Sequence, residues 1–428
     1  MRTLVLGSGA REHALVRSLL KDPSITSVVC APGNAGIAAD VPTFPLTATD
    51  PGAVLEFCSE HGIEFVVIGP EAPLAAGVAD ALRAAGLPVF GPSAAAARLE
   101  ASKAFAKDVM TAAGVPTARA HVCATVDEVA AALDEFGAPH VVKDDGLAAG
   151  KGVIVTDDRA AALAHAAGCL SSADRRVVVE EYLDGPEASL FLVADGARVV
   201  PLEPAQDFKR IFDNDEGPNT GGMGAYSPLT WAPTGLVQEV VDTVALPVIR
   251  EMAKRGTPFQ GLLYAGLALT KRGVRVIEFN ARFGDPETQV VLARLQSPLG
   301  QLLYRSAVGK LDEQPPLQWT PGSALTVVMA AAGYPGDVQS GDAIRGIADA
   351  DALCCIDVLH AGTKERDGAV VTSGGRVLSV TATGDDLGAA RARAYEAVSK
   401  ISWSGEQHRT DIALAAHEGR ITVEENHG

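Results

Sequence analysis

The opening hundred residues constrain the fold more than any other stretch. Four short apolar runs, Thr3–Leu6, Ser27–Cys30, Phe65–Ile68 and Pro88–Phe90, read as strands. Between them Glu12–Leu20, Ala53–His61 and Leu74–Ala85 carry helical periodicity. Strands alternating with helices predict a parallel sheet in a doubly wound α/β domain. Ligands of such sheets sit at the carboxyl ends of strands, and the loops Gly7–His13, Pro32–Gly36 and Gly69–Pro73 fall there. Gly7-Ser8-Gly9-Ala10-Arg11-Glu12 misses the dinucleotide fingerprint, because Glu12 stands at the third glycine position and no acid ends the second strand. A single phosphate at the helix N-terminus, with Arg11 as counter-charge, fits the loop better.

Composition narrows the class. The chain has 428 residues, 47% hydrophobic and 21% charged, enough for roughly two to four globular domains. A formal net charge of −17 argues against nucleic-acid and anionic-membrane partners but leaves room for a small anionic ligand. Six cysteines show no Cys-x-x-Cys spacing, which predicts a reducing, cytoplasmic setting without structural zinc. The apolar run after Met1 is too short for a signal peptide, and no segment approaches a membrane span.

Gly114-Val115-Pro116 breaks the pattern and predicts a boundary, giving a first domain over 1–116. Lys103, just before it, reads on sequence alone as a solvated surface lysine. Residues 117–195 form a compact unit with strands at Ala120–Cys123, Pro139–Lys143, Gly152–Val155 and Val177–Glu181. Its centre is Lys143-Asp144-Asp145-Gly146-Leu147-Ala148-Ala149-Gly150-Lys151-Gly152. Such a loop can lay peptide N–H and ammonium groups along a polyphosphate. It lacks the spacing and the hydroxyl of a Walker loop, and alone it would also suit a flexible hairpin tip.

A central segment over 196–321 follows. Gln206–Tyr226 reads as a long functional loop, with Lys209-Arg210 supplying charge and Phe208, Ile211, Phe212 and Met223 anchoring it. The strand Gly273–Asn280 then predicts Ile277 and Phe279 toward the core and Glu278 with Asn280 on the opposite face. Two oxygen donors side by side suit Mg²⁺ when nucleotide phosphates complete its shell. Residues 322–428 read as a small closing α+β domain, with Tyr334-Pro335-Gly336-Asp337 its one conspicuous motif.

Taken in order, Arg11–Ala14, Pro32–Gly36, Gly69–Leu74, Lys143 with Asp145–Lys151, Gly217–Pro228 and Ile277–Thr288 resemble the glycinamide ribonucleotide synthetase family of ATP-grasp ligases over essentially the whole chain. The resemblance implies an N-terminal doubly wound parallel-sheet domain, an ATP-grasp core with a lid subdomain, and a C-terminal α+β domain. It implies ATP-dependent joining of glycine to 5-phosphoribosylamine, through glycyl phosphate, in purine biosynthesis.

Carried over by position, the nucleotide would meet Lys103, Lys143, Arg210 and Asn219, with Gly150, Lys151 and Gly152 closing over its phosphates. Glu180, Glu181, Tyr182 and Leu183 would border adenine, and Glu187 would take the ribose hydroxyls. Glu278 and Asn280 would hold Mg²⁺ or Mn²⁺. Phosphoribosylamine would contact Gly9, Asn34, Gly36 and Glu71, with Gly221, Gly222, Arg282 and Asp285 at the reacting centre. Lys151, Arg282 and Asp285 would act catalytically. The expected state is a cytoplasmic monomer, with a weak homodimer as the alternative, and no nucleic-acid or membrane partner. Ala10 replaces a usual glycine, Phe208 a common histidine and Asp144 a small residue, and only one carboxylate stands in the Glu278/Asn280 pair.

Overall fold

The protein is described from a computed structural model covering residues 1–146, 152–172 and 175–423. The first sheet is parallel, ordered Ser27–Pro32, Arg2–Gly7, Phe65–Ile68, Val89–Phe90. Its strands are almost continuously buried, as expected where helices cover a parallel sheet. The helical pattern over Leu74–Ala85 is two helices, Glu71–Ala75 and Val78–Ala84, because Gly77 between them takes φ 80°.

A second, antiparallel sheet runs Ala120–Cys123, Val177–Glu180, His140–Asp144, Val153–Thr156. Val142, Val177 and Val179 lie under the helices Val126–Phe136 and Arg159–Cys169. Alternation turns Val141, Lys143 and Glu180 to the other face, toward a cleft. Strand polarity along a single sheet thus separates a core from a site.

The third sheet is Val199–Pro201, Glu187–Asp195, Gln260–Thr270, Gly273–Asn280. Glu187–Asp195, placed by the sequence reading at the end of the lid subdomain, therefore pairs with the central strands instead. The fourth sheet joins Gln206–Asp207 and Gly224–Ser227 to Ser323–Ala330, Arg376–Gly384 and Ile356–His360. Its hydrogen bonding crosses the boundary expected at 321, so the closing domain shares a sheet with the central one.

Two local expectations are corrected. Gln206–Tyr226 is ordered β structure rather than an irregular loop, with Arg210–Phe212 and Glu216–Asn219 paired in a hairpin. In Gly273–Asn280 the partner of Gly266 is Glu278 while the partner of Leu267 is Val276, which leaves Ile277 as an extra residue. This bulge breaks strict alternation. Val276 and Phe279 enter the core, while Ile277 lines the cleft.

Candidate active site

A cleft of about 800 Å³ opens between the second sheet, the third sheet and the ends of the first. That volume suits a nucleotide-sized ligand. Lys143 and Glu180 face it as diagonal neighbours on adjacent strands, where Val141 pairs with Glu180. Glu180 Oε2 meets Lys143 Nζ at 2.9 Å and Oε1 meets Lys107 Nζ at 3.0 Å. All three side chains are buried, so the acid at the end of Val177–Glu180 forms an ion bridge between two lysines. Lys143 also donates to Ile277 O at 3.0 Å, the carbonyl freed by the bulge. Lys107 also donates to Thr117 Oγ1 and Ala118 O. Burial lowers the Lys107 ammonium pKa, and the Glu180 carboxylate only partly offsets this.

Lys103 is half-buried, not a solvated surface residue, and donates to Gly146 O at 3.0 Å. Asp145 Oδ1 accepts Ala104 N and Ser102 Oγ, fastening the entrance of the glycine loop to the start of the helix Lys103–Ala113. Gly150 and Lys151 lie outside the described residues; Gly152 lines the cleft. Asp144 pairs with Arg175 at 3.2 Å.

Along the cleft, Glu181 is held by Arg119 and Arg272, while Tyr182 is exposed and Leu183 half-buried. Burial works against the Glu181 carboxylate, but the Arg119 N–H and both guanidinium groups lower its pKa to about 2. Glu187 Oε2 accepts Lys209 Nζ at 2.6 Å. Arg210 donates to Gly217 O across the hairpin and pairs in register with Asn219. Phe208, at the position where a histidine was expected, lies 5.0 Å beneath the Arg409 guanidinium.

The Glu278 side chain makes no hydrogen bond or ion pair with another described residue. Burial would raise its carboxyl, but Lys209, Lys143, Lys103 and Arg282 outweigh burial and hold it below the usual range. Asn280 Oδ1 has one long contact, 3.5 Å from Arg282 Nη2. An uncommitted carboxylate and an amide oxygen, flanked by lysines that suit phosphate, fit a divalent cation shared with a nucleotide. Asp207 stands near this centre. Burial, then Glu287, Glu187 and Glu278, push it up to about 7 against the pull of Lys209.

At the far end Arg282 joins Glu100 at 3.0 Å and Glu71 at 3.4 Å. Burial opposes its charge, yet these carboxylates raise its pKa. Asp285 Oδ2 pairs with Arg376 Nη2 at 3.0 Å, and Oδ1 accepts Gln289 Nε2 at 2.7 Å. Burial would raise Asp285 as well, but Arg376, Arg11 and Gln289 keep it ionised below the usual range. Gly9 lies next to Asp285, since a Cβ there would stand 3.5 Å from Asp285 Oδ2.

The helix N-terminus expected to take a phosphate is occupied internally. Gly9 N donates to Glu12 Oε2 at 2.6 Å, and Arg11 Nε pairs with Glu12 Oε1 at 2.5 Å. Room for that carboxylate exists because residue 69 is glycine; a Cβ there would lie 2.0 Å from Glu12 Oε1. Asn34 and Gly36 stand behind this loop. The Asn34 amide donates to Ser8 O and His360 O and its oxygen caps Ile37 N. A Cβ on Gly36 would meet His360 and His13.

Sequence reasoning missed Lys107, Glu100, Glu287 and Arg376. Only Lys107 left a signal, four residues after Lys103 on one helix face. Tyr334 was noticed without a role; its hydroxyl accepts Gly221 N at 2.9 Å.

The chain matches the family model described as phosphoribosylglycinamide synthetase: its N domain over residues 1–100, its ATP-grasp (A) domain over 101–288 and its C domain over 324–415. The phosphoribosylamine–glycine ligase of Streptomyces coelicolor is 63% identical over 421 residues, 97% of this chain and 99% of that one. The crystal structure of phosphoribosylamine–glycine ligase from Thermotoga maritima superposes with a TM-score of 0.84 at 33% identity, over 96% of this chain and 100% of that one. The biotin carboxylase domain of the Hydrogenobacter thermophilus 2-oxoglutarate carboxylase, solved with MgADP, ADP and bicarbonate, gives a TM-score of 0.70 at 17% identity, over 95% and 91% of the two chains. At that identity the likeness is one of fold alone. With three domain models matched in order and relatives covered end to end, this chain belongs to the phosphoribosylglycinamide synthetase family of ATP-grasp enzymes.

Proposed function

We propose that the cleft joins glycine to 5-phosphoribosylamine, with ATP split to ADP and phosphate. The observation that carries this is the uncommitted Glu278 carboxylate among Lys143, Lys103, Lys209 and Arg282, one strand residue away from the Asn280 amide. A site this rich in cations around one free carboxylate suits the phosphates of ATP and a divalent ion between them. Mg²⁺, or Mn²⁺ in its place, would be held by Glu278 and Asn280 and would supply charge neutralisation for phosphoryl transfer.

The remaining work falls to the chain's own residues. Lys143 and Lys103 face the phosphates, with Gly152 lining the cleft and Gly150 and Lys151, outside the described residues, assigned to the same phosphates by the family resemblance. Arg210 and Asn219 of the hairpin face the triphosphate. Glu180 to Leu183 border the base and Glu187 takes the ribose. A carboxylate is a poor electrophile because it would expel oxide. Phosphorylating glycine gives a leaving group, and positioning plus charge neutralisation then suffices. Arg282 neutralises the acyl phosphate, and the ionised Asp285 orients the attacking amine of phosphoribosylamine. That sugar phosphate occupies the end bounded by Gly9, Glu71 and the Gly221-Gly222 turn, with Asn34 and Gly36 supporting the loop behind. The protein works as a monomer in the cytoplasm, a weak homodimer being the alternative.

The test is one incubation with ATP, Mg²⁺, glycine and phosphoribosylamine formed in situ from ribose 5-phosphate and ammonia. Mass spectrometry should find glycinamide ribonucleotide, with ADP release depending on both glycine and the amine. Rapid ADP release with bicarbonate or D-alanine in place of glycine overturns the glycine assignment.

A further inference from the structure

Arg376 reaches the reacting end of the cleft from a strand of the C-terminal sheet, 91 residues beyond its partner Asp285. Its Nη1 donates to Gly221 O at 2.6 Å and to Asp285 O at 2.5 Å, and its Nη2 to Asp285 Oδ2 at 3.0 Å. One planar fork thereby ties a turn of the central segment to the loop after Asn280. Neither a lysine nor a neutral side chain could span these three oxygens with the same geometry. Tyr334, from the same domain, also holds the turn, its hydroxyl accepting Gly221 N at 2.9 Å.

Gly221 records the closeness of the fit. A Cβ there would stand 3.0 Å from Arg376 Cζ and 3.1 Å from Nη2. Its backbone is not in the left-handed region, so alanine would be opposed by the guanidinium alone, which would have to shift by a few tenths of an ångström. Arg376 is also the largest cationic influence holding Asp285 ionised against burial.

We propose that Arg376 is a positioning residue of this reaction: it locks the Gly221-Gly222 turn onto Asp285, so that the substrate end is completed only when the C-terminal domain supplies its arginine. The proposal rests on the ligase reading above for its kinetic arm, and on the contacts alone for its structural arm. Most of the ATP-facing groups, Lys103, Lys143, Glu278 and Asn280, make no contact with Arg376, and only Asn219, two residues before the turn, connects this lock to the nucleotide.

The experiment compares Arg376→Gln, Arg376→Lys, Gly221→Ala and the double variant Arg376→Gln/Gly221→Ala. Arg376→Gln should lose about tenfold or more in kcat/KM for phosphoribosylamine, the usual scale for misplacing a reacting group. ATP affinity should fall much less than kcat/KM for phosphoribosylamine, since Arg376 makes no contact with Lys103, Lys143, Glu278 or Asn280. Arg376→Lys, which keeps the charge but not the fork, should restore only part of the loss. Gly221→Ala should impair the wild type but add little to Arg376→Gln, because the clash it creates is with the guanidinium. Hydrogen exchange of residues 219–224 without substrates should rise in Arg376→Gln. Full activity of a folded Arg376→Gln enzyme, or full additivity of the two substitutions, overturns the proposal. Should Arg376→Gln fail to fold, Gly221→Ala decides it: wild-type kinetics and exchange in that variant overturn the lock. If the wild type makes no glycinamide ribonucleotide, the ligase reading fails, while unchanged exchange at 219–224 is the separate failure of the lock.

Discussion

Glu180 accepts the Lys143 ammonium at 2.9 Å, and neither side chain is more than 5% exposed. The same carboxylate holds Lys107 at 3.0 Å, so the helix Lys103–Ala113, the second sheet and, through Ile277 O, the third sheet meet at one anion. Removing one partner of a buried ion pair costs on the order of 3–5 kcal/mol, because the charge left behind is uncompensated. Glu180→Gln should therefore lower stability by a few kcal/mol on that scale and raise the KM for ATP by freeing Lys143. Thermal melting with and without ATP checks both; an unchanged melting temperature refutes the bridge.

Glu278 differs from Glu180 in making no direct side-chain pair with another described residue, but the surrounding cations hold it ionised in the fold, so Glu278→Gln should lower the melting temperature. Turnover should also fall by about 100-fold or more, since losing a metal-clamping charge raises the phosphoryl-transfer barrier by several kcal/mol. Steady-state kinetics beside a melting curve separates the two effects. An unimpaired variant would place the metal elsewhere.

The intermediate is testable by following one atom. If the glycine carboxylate attacks the γ-phosphate, one of its oxygens leaves with phosphorus when the amine displaces it. Glycine labelled with ¹⁸O in its carboxylate should deliver one labelled oxygen to each inorganic phosphate. Unlabelled phosphate beside full product formation would refute glycyl phosphate.

Acid should loosen the seam between the first and last domains. His13 Nδ1 accepts His360 N at 2.8 Å, and its Nε2 meets Asp40 at 2.9 Å, with Arg17 bridging Asp40 and Asp357. Burial, then the neighbouring His13 and Arg17, depress His360 to about 3, and burial lowers His13 too. Each is therefore neutral when folded but protonates near 6.5 when unfolded. Their stability is fully present above pH 6.5 and is lost as pH falls toward the folded values, by up to about 1.4 kcal/mol per unit for His360, with a smaller or equal contribution of the same sign from His13. Urea unfolding at pH 7 and pH 5 should differ, and His360→Asn should shrink the difference. A pH-independent midpoint over that range would exclude the mechanism.

Local pattern determined much of this protein without tertiary information. The short β-rich runs of the first domain, the lysine at the end of His140–Asp144 and the Glu278-x-Asn280 spacing all depend on period-2 alternation and turn chemistry, which are properties of neighbouring residues. Alternation failed at Ile277, because a bulge is set by the partner strand Gln260–Thr270 and leaves no mark in its own sequence. The order in Gln206–Tyr226 was hidden for the same reason: its strands are short, and Gly224–Ser227 is held by pairing with Ser323–Ala330.

The first helix shows the division at a single residue. Glu12 was visible as a departure from a dinucleotide loop, but only the fold brings Gly69 close enough for its carboxylate to occupy the Gly9 N–H. Lys107–Glu180 and Asp285–Arg376 join residues far apart in the chain, a helix to a strand and the loop after Asn280 to a strand of the fourth sheet. Sequence periodicity fixes which face of an element a side chain takes; it is blind to which distant element meets that face. Burial and charge pairing, decided by the tertiary structure alone, turned Glu180 from a strand-end acid into a bridge and made Arg376 part of the site.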